Sequence, residues 1–311
     1  MAFISSVFGC ICSNASLEIG NRQFRILRKF AEGGFSQLFL IEEIKNKQKW
    51  ALKRIDCHSD IEVERVFREI EIHNQFTSKE NILRLECYVE NDLPNSCRFS
   101  LVFPFYKRGS LQDELTLRRA ERNYIDEGRI LRLFHQICTA VSFLHSLCPP
   151  IAHRDLKPAN VLLSEDDRAV LMDFGSSCAC PIIIEDSKQS RRQIVNELID
   201  ESAELCSMAY RAPELFFCDV GAMITHSLDI WSLGCLLYAL CFFSSPFDEV
   251  HERGDSIALA VQSEKLNFPK DKQIFRKETL QLIEQMLKVN PQNRPDIYTL
   301  LNSITEQKMK L

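Results

Sequence analysis

The sequence predicts an α+β chain of two lobes, a small antiparallel β-sheet with one helix followed by a larger, mainly helical lobe. Three observations predict it. Short alternating and apolar runs with turn signals between them fill residues 23–55, as antiparallel strands require. Helical spacing takes over at 60–76 and returns from Ile130 to Leu144. The length, 311 residues, is long for one core and comfortable for two lobes.

In chain order, Phe24 to Phe30, Leu38 to Ile41 and Trp50 to Ile55 read as a three-stranded meander, with the polar turn Lys45 to Lys49 before the third strand. The first turn is Ala31-Glu32-Gly33-Gly34-Phe35-Ser36, where glycines let a backbone close over a phosphate tail. Two glycines alone are weak evidence. A dinucleotide fold is disfavoured because a strand, not a helix, follows them. Ala51 and Lys53 share a face of the third strand, since side chains alternate. The 60–76 helix carries Val63, Val66, Phe67 and Ile70 on its apolar side. Strands near Ile82 to Val89 and Arg98 to Phe103 complete a five-stranded lobe. Phe103-Pro104-Phe105-Tyr106 then leads into polar Lys107-Arg108-Gly109-Ser110 and reads as the connector between lobes.

In the second lobe, Ile130, Leu131, Phe134, Ile137, Val141 and Leu144 trace a long amphipathic helix ending at Pro149-Pro150. It delivers the chain to His153–Asn160, HRDLKPAN, which sets an acid, two cations and an amide within one short stretch. Apolar runs at 161–163 and 169–172 flank the turn Ser164 to Asp167, so a hairpin brings Asn160 beside Asp173. A carboxylate and an amide oxygen side by side suit a hard cation such as magnesium. Ile230 to Phe243 is the most apolar run. It is too short to span a bilayer and reads as a helix buried on all sides.

The composition, 45% hydrophobic and 26% charged, is that of an ordinary globular chain, and a net charge of −5 gives no general attraction to nucleic acid. Thirteen cysteines lack metal-ligand spacing and follow no secretory signal, so reduced thiols inside the cell are expected, most of them in the core. The first twelve residues have neither the basic start nor the length of a signal peptide. Phe3, Ile4, Val7, Phe8 and Ile11 surround Cys10 and Cys12, a composition suited to S-acylation at a membrane surface. A tail with two idle thiols fits equally well.

HRDLKPAN, Asp173-Phe174-Gly175 and YRAPE (210–214) make the chain resemble a eukaryotic serine/threonine protein kinase over about residues 22–306. EGGFS (32–36), PFYKRGSL (104–111), DIWSLGCLLYAL (229–240) and GDSIALAV (254–261) resemble more narrowly the Numb-associated kinase family, closest to its small, lipid-anchored, Golgi-linked member. The resemblance implies a bilobal protein kinase fold with an N-lobe at 22–104, a C-lobe at 107–306, an acylation segment at 1–21 and a short tail at 307–311. It implies transfer of the γ-phosphoryl of ATP, with Mg2+, to Ser or Thr of protein substrates.

By that resemblance Asp155 accepts the hydroxyl proton, Lys157 lies beside the transferred phosphate, and Asn160 and Asp173 hold magnesium. Lys53 orients the phosphates and Glu69, sixteen residues later in REI, holds Lys53. Arg65 is the rival partner for Glu69 four residues earlier. Glu69 is preferred to Glu71 because Phe67 and Ile70 turn it toward the strand. The nucleotide would lie against Ala31, Glu32, Gly33, Gly34, Phe35, Ser36, Leu38, Ala51 and Phe103, with the Pro104 carbonyl and Tyr106 amide toward adenine. Pro104 lacks an amide proton but keeps its carbonyl.

The resemblance further pairs Glu214 with Arg294 and sets Asp229 on the catalytic-loop backbone; the alternative, an N-cap for the buried helix, is compatible with that role. Ser190, Gln193, Ile194, Leu198 and Ile199 read as a capped amphipathic helix in the long segment from Asp173 to Glu214. Ser207 takes the place of the usual threonine of the substrate-binding loop. Arg154 would meet a phosphate at Ser187, Ser190 or Ser202 if one is present. A monomer is implied, cytoplasmic and attached at its periphery to Golgi or other endomembranes through Cys10 and Cys12, with a role in membrane trafficking.

Departures from the pattern are Ala31 and Ser36 for loop glycines and Leu38 for valine. Ala2 stands where the acceptor glycine of myristoylation would be, so stable anchoring needs both cysteines acylated, or one plus apolar insertion. A pseudokinase scaffold is the rival class, marked by loss of one of Lys53, Glu69, Asp155, Asn160 or Asp173, and none is lost. Phosphorylation of a lipid or small molecule is disfavoured by YRAPE, which resembles a platform for extended peptides.

Overall fold

The computed structural model describes residues 16–32, 36–183, 191–218, 223–263, 266–270 and 272–310. Gly33, Gly34, Phe35, Cys10, Cys12, Ser187 and Ser190 lie outside these residues. The chain forms two units, one from the chain up to Lys79 with Leu83–Phe105, the other from Glu80–Ile82 with the chain from Tyr106 onward.

The first unit contains β1 (Ser16–Ile19), β2 (Arg22–Glu32), β3 (Ser36–Glu43), β4 (Lys49–Cys57), α1 (Asp60–Gln75), β5 (Cys87–Leu93) and β6 (Ser96–Pro104). The strands make one antiparallel sheet in the order β1-β2-β3-β4-β6-β5. Six strands stand where five were expected. The extra one, β1, falls in the stretch 1–21 read as a tail. Gly20 and Asn21 both take positive φ, 54° and 63°, the two-residue turn that a tight hairpin needs. Ile19, fully buried, is its anchor in the core. Four residues are too few for alternation to show.

The strand expected at Ile82 to Val89 begins only at Cys87. The residues before it differ from the expected lobe division, because Glu80–Ile82 belongs with the second unit. Asn81 explains why: its carbonyl accepts from Leu171 N at 2.8 Å and its amide donates to Ala169 O at 2.9 Å.

The second unit contains α2 (Leu111–Glu121), α3 (Glu127–His145), β7 (Ile151–Ala152), β8 (Val161–Leu163), β9 (Ala169–Leu171), β10 (Cys178–Ala179), β11 (Ile182–Ile183), α4 (Arg191–Leu205), β12 (Met223–Ile224) and α5 (Ser227–Phe242). After these come α6 (Asp248–Glu252), α7 (Ile257–Gln262), α8 (Lys277–Met286) and α9 (Ile297–Met309). The expected 161–163 and 169–172 hairpin is β8 and β9, in register Val161 to Leu171. The helix α3 starts on an Asp126 cap that accepts from Arg129 N and stops at Ser146, before the prolines. Every residue of α5 from Leu228 to Phe242 is buried, as its unbroken apolar run demands. Among the described residues no helix is long and apolar enough to cross a membrane. The last helix, α9, runs through most of the expected 307–311 tail, and Gln307 O accepts from Arg276 at 3.4 Å.

Candidate active site

In the first unit the alternation of β4 sorts its residues. Trp50 and Leu52 join Ile19, Phe24, Ile41 and Val102 in a buried cluster, which leaves Ala51 and Lys53 on the other face. Register sets Lys53 between Leu38 and Leu101, and Ala51 between Leu40 and Phe103. Pro104 lies opposite Trp50. Ala31 and Glu32 end β2, paired with Leu38 and Gln37, and Ser36 begins β3. These three are strand residues rather than part of an open loop.

The helix α1, capped by Ser59 accepting from Glu62 N, buries Val66, Glu69, Ile70, Ile72 and His73. Glu69 is 2% exposed, and a carboxylate there is costly without a cation. Lys53 supplies one: its Nζ lies 2.8 and 3.0 Å from the two oxygens. Glu71, the other candidate, is exposed. His73 Nε2 lies 3.8 Å from Glu69 Oε1, its Nδ1 lies 2.6 Å from Leu83 O, and its ring is 5.0 Å from that of Phe103. Lys53 thus bonds both oxygens of Glu69, with the His73 ring alongside.

In the second unit Asp229 organises the HRDLKPAN loop. Its oxygens accept from His153 N at 2.8 Å and Arg154 N at 2.9 Å, and His145 Nε2 lies 2.9 Å away. Burial pushes this carboxyl up, yet the hydrogen bonds from His145 and the loop hold it below the usual aspartate range. Arg154 has φ 70° and Asp173 has φ 66°. Such left-handed backbone costs about 1–3 kcal/mol per residue outside glycine and collects at functional sites.

Asp155, 7% exposed, is surrounded by donors. Oδ1 accepts from Ser207 N at 2.9 Å, and Oδ2 accepts from Lys157 Nζ at 2.7 Å and Asn160 Nδ2 at 2.9 Å. Lys157 also reaches Ser207 Oγ at 2.7 Å, and Asn160 Nδ2 also donates to Asp155 O at 2.8 Å. The β8–β9 hairpin carries Asp173 alongside, since Met172 N donates to Asn160 O at 3.0 Å. Tyr106 opens this unit, its carbonyl accepting from Gly109 N at 3.1 Å. Glu214 and Arg294 form a two-pronged pair at 2.7 and 2.8 Å.

A model of the protein kinase domain matches residues 24–304. The chain is 38% identical over 295 residues to serine/threonine-protein kinase 16 of Rattus norvegicus, covering 95% of this chain and 93% of that protein. The protein of the same name in Homo sapiens shows the same identity and coverage. Serine/threonine-protein kinase ppk13 of Schizosaccharomyces pombe is 30% identical over 337 residues, 98% of this chain and 95% of its own. The chain belongs to the protein kinase family.

This serine/threonine kinase uses ATP and a divalent metal ion to phosphorylate proteins. Sequence reasoning overlooked two supports of its site. His145 stands on a helix face among apolar neighbours, where periodicity marks burial and says nothing of Asp229, 84 residues on, whereas His73 lies one helical turn after Glu69, a spacing the helical reading of 60–76 already contained. A polar residue at an otherwise apolar position was the available signal.

Proposed function

We propose that Asp155 is the base that takes the proton of a substrate serine or threonine, and that Lys53, Glu69, Lys157, Asn160 and Asp173 serve the phosphates and the metal. The observation that carries this is the ring of donors on Asp155, which fixes the direction of its carboxylate. Asn160 spends its Nδ2 on Asp155, so what it has left to offer a metal is an oxygen. With the Asp173 carboxylate the donor set is oxygen only, which fits magnesium. Bound magnesium supplies charge neutralisation on the phosphates. Asp155 orients and deprotonates the hydroxyl, Lys157 balances charge on the group in transit, and Glu69 keeps Lys53 extended toward the nucleotide.

Purified protein with labelled ATP and magnesium tests this. Asp155→Asn is expected to lower turnover by about 10²–10⁴, the usual worth of a general base. Label transfer that persists in Lys53→Met rules out the lysine assignment, and nucleotide binding without any transfer would favour the scaffold class.

The narrower reading, a Numb-associated kinase acting in membrane trafficking as a monomer at Golgi or other endomembranes, is supported by EGGFS, GDSIALAV and the apolar surround of Cys10 and Cys12. Hydroxylamine-sensitive labelling of cells expressing the wild type, lost in Cys10→Ser/Cys12→Ser, is the expected result. Labelling that survives the double change refutes the anchor.

A further inference from the structure

The Lys53–Glu69 pair has a titratable neighbour. His73 lies one turn after Glu69 on α1, its side chain fully buried. Its Nδ1 is 2.6 Å from Leu83 O, and a carbonyl oxygen only accepts, so Nδ1 carries a proton. The neutral ring then has its lone pair on Nε2, and a second proton goes there. That nitrogen lies 3.8 Å from Glu69 Oε1, the oxygen that Lys53 Nζ meets at 2.8 Å. The charged groups at the ring are thus Glu69 of its own helix and Lys53 of β4, which shares Oε1. The stretch before β5 gives the Leu83 carbonyl, with Arg84 turned toward Glu86 at 3.6 Å, and β6 gives the Phe103 ring at 5.0 Å.

We propose that His73 is a positioning residue for the Lys53–Glu69 pair and makes nucleotide binding proton-sensitive. The proposal rests on the phosphate-orienting role given above to Lys53 and on Glu69 as its holder. Neutral His73 leaves Oε1 to Lys53. The imidazolium aims a second N–H donor at the same oxygen, and an approach of about 1 Å brings it to charge-assisted hydrogen-bond range. One carboxylate then serves two cations, which repel each other where burial leaves little water to screen them. Leu83 holds the ring, so Lys53 with its flexible stem is the one to move. It keeps Oε2, at 3.0 Å, but shares Oε1 and loses part of the hold that extends it toward the phosphates. Nucleotide affinity therefore falls as His73 takes up its second proton. A histidine that only filled space would impose no such dependence.

The test measures binding of a non-hydrolysable ATP analogue with magnesium to the full chain at about pH 8 and about pH 6, on either side of an ordinary imidazole's titration. The comparison is His73→Asn, whose amide nitrogen can reach Leu83 O but takes no proton. Both proteins see the same phosphate titration of the ligand, so the ratio between them isolates His73. On acidification the wild-type dissociation constant should rise about fivefold or more beyond the rise in the variant, the lower end of ordinary coupling between two sites. Equal rises overturn the proposal, and so does a wild-type affinity that improves relative to the variant.

A second measurement needs no variant. In wild-type protein with isotope-labelled histidine, the His73 ring is identified by its nuclear Overhauser contact with Phe103. At about pH 8 its nitrogen shifts should show hydrogen on Nδ1 and none on Nε2, and the Nε2 signal should move as pH falls toward about 5, across the range in which imidazoles titrate. Hydrogen on Nε2 alone, or a signal that never moves, overturns the proposal. Lys53→Met separates this outcome from the reading beneath it. If that variant binds the analogue as tightly as wild type at about pH 8, the role of the lysine falls, and the histidine proposal falls with it. If it binds weakly while wild type and His73→Asn respond alike to pH, only the histidine proposal falls.

Discussion

Arg154 and Glu201 form an ion pair, Nη1 to Oε1 at 3.4 Å, and Arg154 Nη2 also donates to Ser202 Oγ at 3.3 Å. A carboxylate and a hydroxyl of α4 thus engage the guanidinium that a phosphate on the segment was expected to meet. The end of α4 has further ties, Ser176 Oγ to Leu205 O at 2.8 Å and Arg211 Nη2 to Cys206 O at 2.7 Å. The described end of α4 is thus tied by contacts that contain no phosphate. Phosphatase-treated protein is expected to keep its turnover. Leu198, 6% exposed, anchors α4 by packing, and Leu198→Asp buries a charge with a cost of several kcal/mol. It should lower turnover by at least tenfold. Dephosphorylation that matches the Leu198→Asp loss would show the phosphate to be the real anchor.

Asp229 presents two acceptors to two amide donors of the catalytic loop, one of them on Arg154 with its positive φ. Asp229→Asn turns one acceptor into a donor and sets it against an N–H. Losing a charge-assisted bond of about 1.5–3 kcal/mol lets the loop relax, so kcat/KM is expected to fall by about ten- to a hundredfold. Circular dichroism should show the helices intact. A variant with wild-type kinetics would mean that packing alone holds the loop.

What was legible in the sequence was whatever had a local pattern. The β8–β9 hairpin was readable because two apolar runs flank a polar turn, and its geometry put Asn160 beside Asp173. The face shared by Ala51 and Lys53 followed from strand alternation, and α5 from an unbroken apolar run. Contacts that close over long sequence separations left no such trace. The Glu80–Ile82 segment joins the β8–β9 hairpin through the Asn81 carbonyl and amide, a bridge from Ile82 to Leu171 and the Glu80–Arg168 pair, and nothing in residues 80–82 announces a partner some ninety positions later. The short β1 hides because its stability comes from Ile19 burial and a two-residue turn. His145 reaches Asp229 only after α3 and α5 have packed.

A second charged cluster in the unit from Tyr106 onward gives a pH prediction. Arg129 donates to Asp167 at 2.7 and 2.8 Å and lies against Glu114, which also accepts from Arg118 at 2.6 Å. Burial pushes Glu114 up, but the hydrogen bonds from Arg129 and Arg118 outweigh it and hold the carboxyl at about 2, against an ordinary 4.5. Arg129 likewise holds Asp167 well below its usual range. Both folded values lie below the unfolded ones, so this stability is complete above about pH 4.5 and is lost as pH falls toward 2. The side chains are 15–26% exposed, which places Arg129→Ala at about 2 kcal/mol, between the exposed and buried limits. Thermal melts at pH 7 should drop by about 4–8 °C. The gap between wild type and variant should narrow below pH 4.5, and a gap independent of pH would assign the effect to packing of the arginine stem.

Gly234 sits in the fully buried helix α5 where α8 crosses close. A Cβ there would lie 2.9 Å from both Cγ and Cδ2 of Leu287 and 3.0 Å from Met286 Cβ, closer than carbon atoms pack. Helix propensity favours alanine over glycine by about 1 kcal/mol, so an open site would gain from the change. Here overpacking of about 1–3 kcal/mol opposes that gain. Gly234→Ala is therefore expected to lower the melting temperature by a few degrees. Leu287→Ala alone creates a cavity and also destabilises. In the double variant the new methyl enters the space that Leu287 vacates, so the combined loss should be smaller than the sum of the two single losses, as for residues in direct contact. Strict additivity in chemical denaturation would mean that α5 and α8 separate to admit the methyl, and that the glycine is not what sets their approach.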